Sequence, residues 1–296
     1  MMNIQEFTQE VCTEIAKILN CEVQYKEVEK LNGAKHYGLT ILESGNNIAP
    51  TLYMRPFYDM YLYTKNWKGT IKQIVAAYQA DRFPKQLDMG WFKDFEKVQG
   101  LIFHKLVNFE ANKALLEDIP YTRYLDLAII YYVLYENDEL GDGSILIHNS
   151  HLEMWDCTTQ DLSGLAEKNT PRLYPIAVST MENVLQECKV DTEELHPIEE
   201  TPVPMHVMTN EKRVNGAITI LYQDALKNFT DRIHSDVVIL PSSVHEVILL
   251  PLQEEKEFQE LRNMVYEVNR SQLAREDFLS DNIYLYRRDT GSIEIV

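Results

Sequence analysis

The segment Ile239-Leu240-Pro241-Ser242-Ser243-Val244-His245-Glu246-Val247-Ile248-Leu249-Leu250-Pro251 sets two apolar runs on either side of a short polar break. A link that short cannot hold the crossover that parallel strands require, so the two runs must lie antiparallel. Residues 23–28 and 37–42 repeat the pattern around Asn32-Gly33, a tight-turn pair. These links exclude a doubly wound sheet and predict an α+β fold of antiparallel sheets with packed helices.

Helices are read from period and caps. Ile4, Phe7, Val11, Ile15 and Ile18 recur at helical spacing, and Asn3 with Glu6 forms a capping pair in front of them. Thr70 with Gln73, Thr158 with Asp161, and Ser179 with Glu182 mark further helix starts. Residues 125–135 are apolar on both alternating faces, as in a central strand covered on both sides, and their length also permits a helix. The C-terminal part reads as strands at 205–208 and 217–222, a helix at 223–233, strands at 237–240 and 244–250, and a helix at 254–269. A strand-strand-helix unit thus occurs twice, and a hairpin of 283–286 and 293–296 follows. In the second of these helices Phe258, Leu261, Val265 and Val268 are in register for burial.

Residues 189–204 break the pattern, with Asp191, Glu193, Glu194, Glu199 and Glu200 among Pro197, Pro202 and Pro204. Such a stretch has little to bury and much to solvate, so it reads as a linker. It separates an N-terminal α+β region, 1–188, from a C-terminal α+β domain, 205–296.

Forty-six acids against 28 Lys plus Arg give the chain a formal charge of −18, which repels phosphate backbones and argues against direct nucleic-acid binding. An acidic mimic of nucleic acid needs its carboxylates ordered along one face; here they are spread and mixed with bases. Cys12, Cys21, Cys157 and Cys188 form no C-x-x-C pair, so no zinc ribbon or thioredoxin-like site is indicated. The first residues lack a basic start followed by an apolar core, and no apolar run approaches the ~20 residues of a membrane span. The expectation is a cytoplasmic protein with reduced thiols and no membrane partner.

Several blocks carry a family resemblance. They are Gly45-Asn46-Asn47-Ile48-Ala49-Pro50-Thr51-Leu52-Tyr53 with Phe57-Tyr58, Asp118-Ile119-Pro120, Tyr124-Leu125-Asp126-Leu127-Ala128, Ile145-Leu146-Ile147-His148-Asn149, Asn169-Thr170-Pro171-Arg172-Leu173 and Leu279-Ser280-Asp281-Asn282. In this order they resemble a bacterial domain-of-unknown-function family, family 5688, found mainly in gut Firmicutes. More distantly, the second half resembles the YtpQ-like family, also uncharacterised. The resemblance implies a bacterial cytosolic origin and a single architecture across nearly the whole chain. It implies no activity and supplies no catalytic residue.

Three places hold residue types that can do chemistry. Ser243 and His245, with Glu246 beside them, offer a nucleophile, a base and a carboxylate, and His148 or His206 can join from elsewhere. Against a hydrolase, no G-x-S-x-G elbow is present, and strand alternation puts His245 and Glu246 on opposite faces. His148 and His151, three apart, can ligate a metal only if a carboxylate such as Glu153 or Asp156 completes the set; the H-E-x-x-H spacing is absent, no metal or other cofactor is expected, and Asn149 or Ser150 reads as a helix cap. Tyr53, Phe57, Tyr58, Tyr61 and Trp67 can line a binding surface, although aromatics at helical spacing more often fill a core. Asp126 beside its apolar run suggests an ion pair with Arg123 or Arg172, and Gly141-Asp142-Gly143-Ser144 reads as a hairpin turn rather than a phosphate loop. With no complete catalytic motif, the expected function is binding of a protein or small ligand, or regulation; a hydrolase built on Ser243 and His245 is the alternative.

Overall fold

A computed structural model describes residues 2–43, 45, 49, 51–80, 88–135, 143–187, 204–253 and 258–296. The described residues up to Trp91 form one compact unit and those from Phe92 onward another.

The first unit is a three-stranded antiparallel sheet backed by helices. Helix α1 (Ile4–Leu19) starts at Asn3, whose side chain takes the Glu6 N–H while Glu6 returns a carboxylate to the Asn3 N–H, as the capping pair predicts. Strands β1 (Glu22–Glu29), β2 (Lys35–Leu42) and β3 (Thr51–Tyr53) pair in sequence order. The turn between β1 and β2 holds Asn32 at φ +59° and Gly33 at φ +66°, the left-handed conformation these two residue types tolerate best. Helices α2 (Arg55–Thr64) and α3 (Trp67–Ala80) follow. The apolar stripe of α1 meets Leu39, Ile41, Met54, Ile71 and Ile74 in one core. The cap of α3 is Asn66, whose Oδ1 accepts the Gly69 N–H; Thr70, expected in that role, lies one turn inside and donates to the Asn66 carbonyl.

The second unit carries two sheets. The smaller follows helix α4 (Phe95–Val98) and contains β4 (Ile102–Asn108), β5 (Tyr121–Tyr124), β6 (Leu127–Tyr135) and β7 (Gly143–Leu146), with α5 (Lys113–Leu116) between β4 and β5. Strand β6 is its centre: β4 pairs along one edge, and on the other β5 pairs with Leu127–Ile130 and β7 with Tyr132–Tyr135. The uninterrupted apolar run predicted this doubly covered position. Leu125 turns the chain between β5 and β6 at φ +52°. Helices α6 (Asn149–Trp155) and α7 (Thr159–Leu173) come next, the second capped by Thr158 and Asp161 as expected.

The larger sheet contains β8 (Ile176–Thr180), β9 (His206–Asn210), β10 (Val237–Leu240), β11 (Val247–Pro251), β12 (Tyr284–Arg287) and β13 (Ser292–Ile295), with α8 (Met181–Glu187), α9 (Ala225–Ile233) and α10 (Phe258–Ser271). It is antiparallel throughout, in the order β13-β12-β10-β11-β9-β8. Alternation divides its residues between two cores. Val237, Ile239, Val247, Leu249 and Tyr284 join Leu226 and Phe229 of α9, and Val238, Leu240, Leu250 and Leu285 join Val265 of α10. Val268, in register for burial, remains 46% exposed. The expected linker, 189–204, lies outside the described residues apart from Pro204. Strands β8 and β9, before and after it, are hydrogen-bonded neighbours in one sheet. Gly141 and Asp142 also lie outside the described residues.

Three expectations change here. Residues Gly216–Leu221 are a 3₁₀ helix rather than a strand, with Ala217, Ile218, Thr219 and Ile220 all buried. A short run buried on every side carries no period to tell strand from helix. The chain is pinned there by Gly216, where an added Cβ would sit 2.5 Å from the His245 carbonyl oxygen and 2.8 Å from the Asn210 nitrogen. Strand β11 begins only at Val247, so the residues from Pro241 to Glu246 form a turn to which strand alternation does not apply. Helix α8 likewise starts after Thr180, whose Oγ1 accepts the Asn183 N–H, and not at Ser179, which stays in β8.

Candidate functional site

The β10–β11 turn packs its polar groups against one another. Ser243, 4% exposed, donates from Oγ to the Glu246 carboxylate at 3.0 Å and accepts the His245 N–H on the same oxygen at 3.0 Å. Ser242 Oγ reaches the same carboxylate at 3.4 Å. The Ser243 N–H meets the Glu246 carbonyl, closing the turn at 3.2 Å. Ser243 and His245 therefore touch through the backbone of His245, and the nearest side-chain partner of the serine is Glu246.

The imidazole of His245 points to two other loops. Its Nδ1 accepts the Asn215 N–H at 3.1 Å, and its Nε2 faces Asp277 Oδ1 at 3.2 Å. An amide N–H can only donate, so Nδ1 is bare and the ring proton sits on Nε2, directed at the carboxylate. The lone pair that a general base would offer to Ser243 is already engaged. Neither Asn215 nor Asp277, each about thirty residues away, carried a signal in the sequence. His206, on β9, stacks edge-on against Phe229 with ring centroids 5.0 Å apart, and its Nδ1 is buried without a hydrogen-bond partner among the described residues.

His148 shows the opposite arrangement. It sits just before α6, and its Nδ1 lies 2.7 Å from Asp118 Oδ2, where the aspartate side chain is 75% exposed. Its Nε2 has no hydrogen-bond partner among the described residues. His151 Nδ1 accepts the His148 N–H at 3.0 Å, which leaves the His151 proton on Nε2. This contact caps α6, the role expected of Asn149 or Ser150; Asn149 reaches instead to the Glu117 carbonyl from its side chain. His151 packs between Phe92 and Trp155, at ring distances of 5.0 and 5.5 Å, and Trp155 Nε1 donates to the Phe92 carbonyl. Burial, then the neighbouring His148, lowers the pKa of His151, and Asp118 opposes both. The pair thus presents one open lone pair and one N–H, which is not a two-nitrogen metal clamp. Among the described residues no group of three or more His, Cys, Asp or Glu is placed to hold a metal.

Of the aromatic candidates, Phe57, Tyr58, Tyr61 and Trp67 pack on the core of the first unit. Phe7 lies 5.3 Å from Tyr58, 5.5 Å from Tyr61 and 5.7 Å from Trp67, ring centre to ring centre. Their polar tips are anchored too, Tyr58 on the Met2 carbonyl and Trp67 on Glu14. Tyr53 differs. Its neighbour Leu52 packs on that core, so Tyr53 faces the other side of the sheet, where it meets the His36 ring at 5.5 Å and Lys30 at 4.9 Å.

Asp126 has neither Arg123 nor Arg172 as its partner. Arg123 donates to the Leu125 carbonyl and Arg172 to the Gly100 carbonyl. The Asp126 carboxylate instead accepts from Ser280 Oγ at 2.6 Å, Asn282 Nδ2 at 3.0 Å and Tyr284 OH at 2.8 Å. Burial and that carboxylate push the Tyr284 pKa up, which keeps its hydroxyl a donor. Two segments more than 150 positions apart are joined there by three neutral donors on one anion.

No helix of the described residues is long and apolar enough to cross a membrane. No curated protein and no solved structure matches the chain. A family model, that of the family of unknown function DUF5688, matches residues 4–288 of the 296. The match covers both compact units, and the chain belongs to DUF5688, a family of unknown function.

Proposed function

We propose that this protein is a binding or regulatory module for a protein or small ligand, and that it is not a hydrolase. One observation carries the reading: the hydrogen bonds of Ser243 and His245 are spent within the fold, the serine on Glu246 and the imidazole on Asn215 and Asp277. A serine nucleophile needs its hydroxyl on a base with a free lone pair, and His245 offers none to it. The surface best suited to a ligand is the sheet face bearing Tyr53, where an aromatic ring, an imidazole and an ammonium group stand together. The high negative charge disfavours nucleic acid as the partner. The proposed setting is the cytoplasm of a bacterium, with Firmicutes the expected group.

The test is a fluorophosphonate probe with the intact chain, read by mass spectrometry, beside a panel of chromogenic esters. The expected result is no adduct on Ser243 and the same ester turnover in wild type and Ser243→Ala. A Ser243-dependent adduct or turnover would overturn the reading in favour of the hydrolase. A fragment screen by NMR addresses the ligand face: shifts should gather at Tyr53, His36 and Lys30 and disappear in Tyr53→Ala. Shifts gathered at 242–246 would count against that face.

A further inference from the structure

The acids that give the chain its charge of −18 are missing from one stretch. Residues 60–80 contain no Asp or Glu, the longest such run in the sequence, and they carry Lys65, Lys68 and Lys72. The run covers the end of α2 and all of α3. All three lysines are exposed. None of them has an ion pair or a side-chain hydrogen bond among the described residues, whereas Lys35, Arg55, Lys97, Lys113 and Lys227 each hold a carboxylate. The acids that reach these helices are engaged elsewhere. Asp59 holds Arg55, Glu14 of α1 accepts the Trp67 Nε1–H at 3.0 Å, and Glu43 accepts the Tyr78 hydroxyl at 2.7 Å.

Placement sets the local energetics. Lys65 closes α2 as its C-cap, where the helix dipole favours a cation. Lys68 stands in the first turn of α3, where the dipole disfavours one, and that turn has no acid to offset it. Lys72 follows Lys68 by one turn on the same side of the helix. Trp67, Ile71 and Ile74 pack on the core of the unit, so the lysines line the outward face. Tyr63, just before them, is 91% exposed.

Lysines one turn apart on a helix are about 6 Å from each other at the backbone end of the side chain. Carboxylates at alternate positions of an extended chain repeat at about 7 Å, and those one turn apart on a helix at about 6 Å, so a row of acids on a polypeptide matches this face. DNA and an anionic membrane extend far beyond a Debye length of about 8 Å and would also meet the negative charge on the rest of the molecule. A short acidic segment meets this face alone. Lysines also lack the planar fork with which arginine grips a phosphate at two points.

We propose that the outward face formed by Lys65, Lys68 and Lys72 is a docking surface for an acidic segment of a partner protein. It lies on the helical side of its unit, away from the Tyr53 face; it rests on the binding-module reading and names the partner's chemistry. Point charges in solvent make the contact weak and salt-sensitive.

The experiment titrates the full chain with a hexaglutamate peptide and follows the backbone amides by NMR. Shifts should gather at residues 63–73, with a dissociation constant below about 1 mM. Raising the salt from about 0.05 M to about 0.5 M should weaken binding at least about fivefold. Lys68→Gln combined with Lys72→Gln should also weaken it about fivefold, and Lys68→Arg combined with Lys72→Arg should retain it. Lys68→Glu combined with Lys72→Glu should instead take a hexalysine peptide at the same amides. No shift at 63–73, shifts gathered elsewhere, or binding unchanged in the glutamine variant would refute the docking surface. Tighter binding of phosphatidylserine vesicles or inorganic polyphosphate through the same lysines would refute it too, in favour of a phosphate-bearing partner. The substituted positions are exposed, so the variants should unfold in urea at the wild-type midpoint; should one fail to fold, the wild-type shift map still decides. Failure here leaves the Ser243 and Tyr53 tests standing, which separates it from failure of the binding-module reading.

Discussion

His245 and His148 each hold an aspartate against one ring nitrogen, Asp277 at 3.2 Å and Asp118 at 2.7 Å. Their second nitrogens differ. That of His245 is met by the Asn215 N–H in a half-buried turn tied to two other loops. That of His148 has no partner among the described residues, and its aspartate is largely in solvent. The comparison teaches that an imidazole–carboxylate pair has no fixed meaning. Where the remaining nitrogen is bonded, the pair fastens backbone; where it is open, the pair is a solvated contact with a spare lone pair. Energetics follow the same division, because partners held without water are costly to remove and solvated ones are not.

The sharpest way to break the comparison is at Gly216. A Cβ there meets the backbone at His245 and Asn210, which cannot move without disturbing the β10–β11 turn and β9. Gly216→Ala should destabilise the protein by about 3 kcal/mol in urea unfolding, and the same change at Gly164, where a Cβ meets nothing, should not. A similar stability would mean that the His245 turn is far looser than its contacts imply.

His104 extends the comparison to an imidazole with neither kind of partner. It is 4% exposed on β4, its Nε2 has no hydrogen bond among the described residues, and burial pushes its pKa down to about 4. The folded state therefore resists the proton that the unfolded chain accepts near 6.5. Stability from this group is full above pH 6.5 and is lost as pH falls through 4, by roughly 3 kcal/mol in all. Urea unfolding of wild type and His104→Phe at pH 7 and pH 4.5 should show a smaller acid loss in the variant; equal losses would mean that this imidazole is not sequestered.

Smaller effects separate the two aspartate-bound sites themselves. Ser243→Ala removes a donor from Glu246 and an acceptor from the His245 N–H, at a cost of about 2 kcal/mol. Asp118→Ala, at the exposed pair, should change stability by less than about 0.5 kcal/mol. If thermal and urea unfolding rank these two variants the other way, the division between fastened and solvated imidazoles fails.

Much of the architecture was legible because local rules point the same way as the fold. Asn3 with Glu6 and Thr158 with Asp161 cap helices where their spacing says they should. The apolar run of β6 lies at the centre of its sheet. The failures have two causes, burial on every side and an apolar run that begins before its pairing does. Residues 216–221 lose their period in the core, and residues 244–246, expected at the start of a strand, belong to the turn because the apolar run that follows them is in pairing only from Val247. At the candidate sites the sequence supplied residue types without partners. Tyr58, Tyr61 and Trp67 were absorbed by Phe7, and Asp126 found a tyrosine, a serine and an asparagine instead of an arginine.

Links too short for crossovers, helix caps and periodicity all act within a few residues, and together they specify the antiparallel α+β plan. The same string carried the family membership. The roles of His245 and His148 are set by long-range packing, because the nitrogen left over after each aspartate is bound or free according to which distant backbone arrives beside it. The Asn215 N–H reaches the second nitrogen of His245 across thirty positions, and no described residue reaches that of His148.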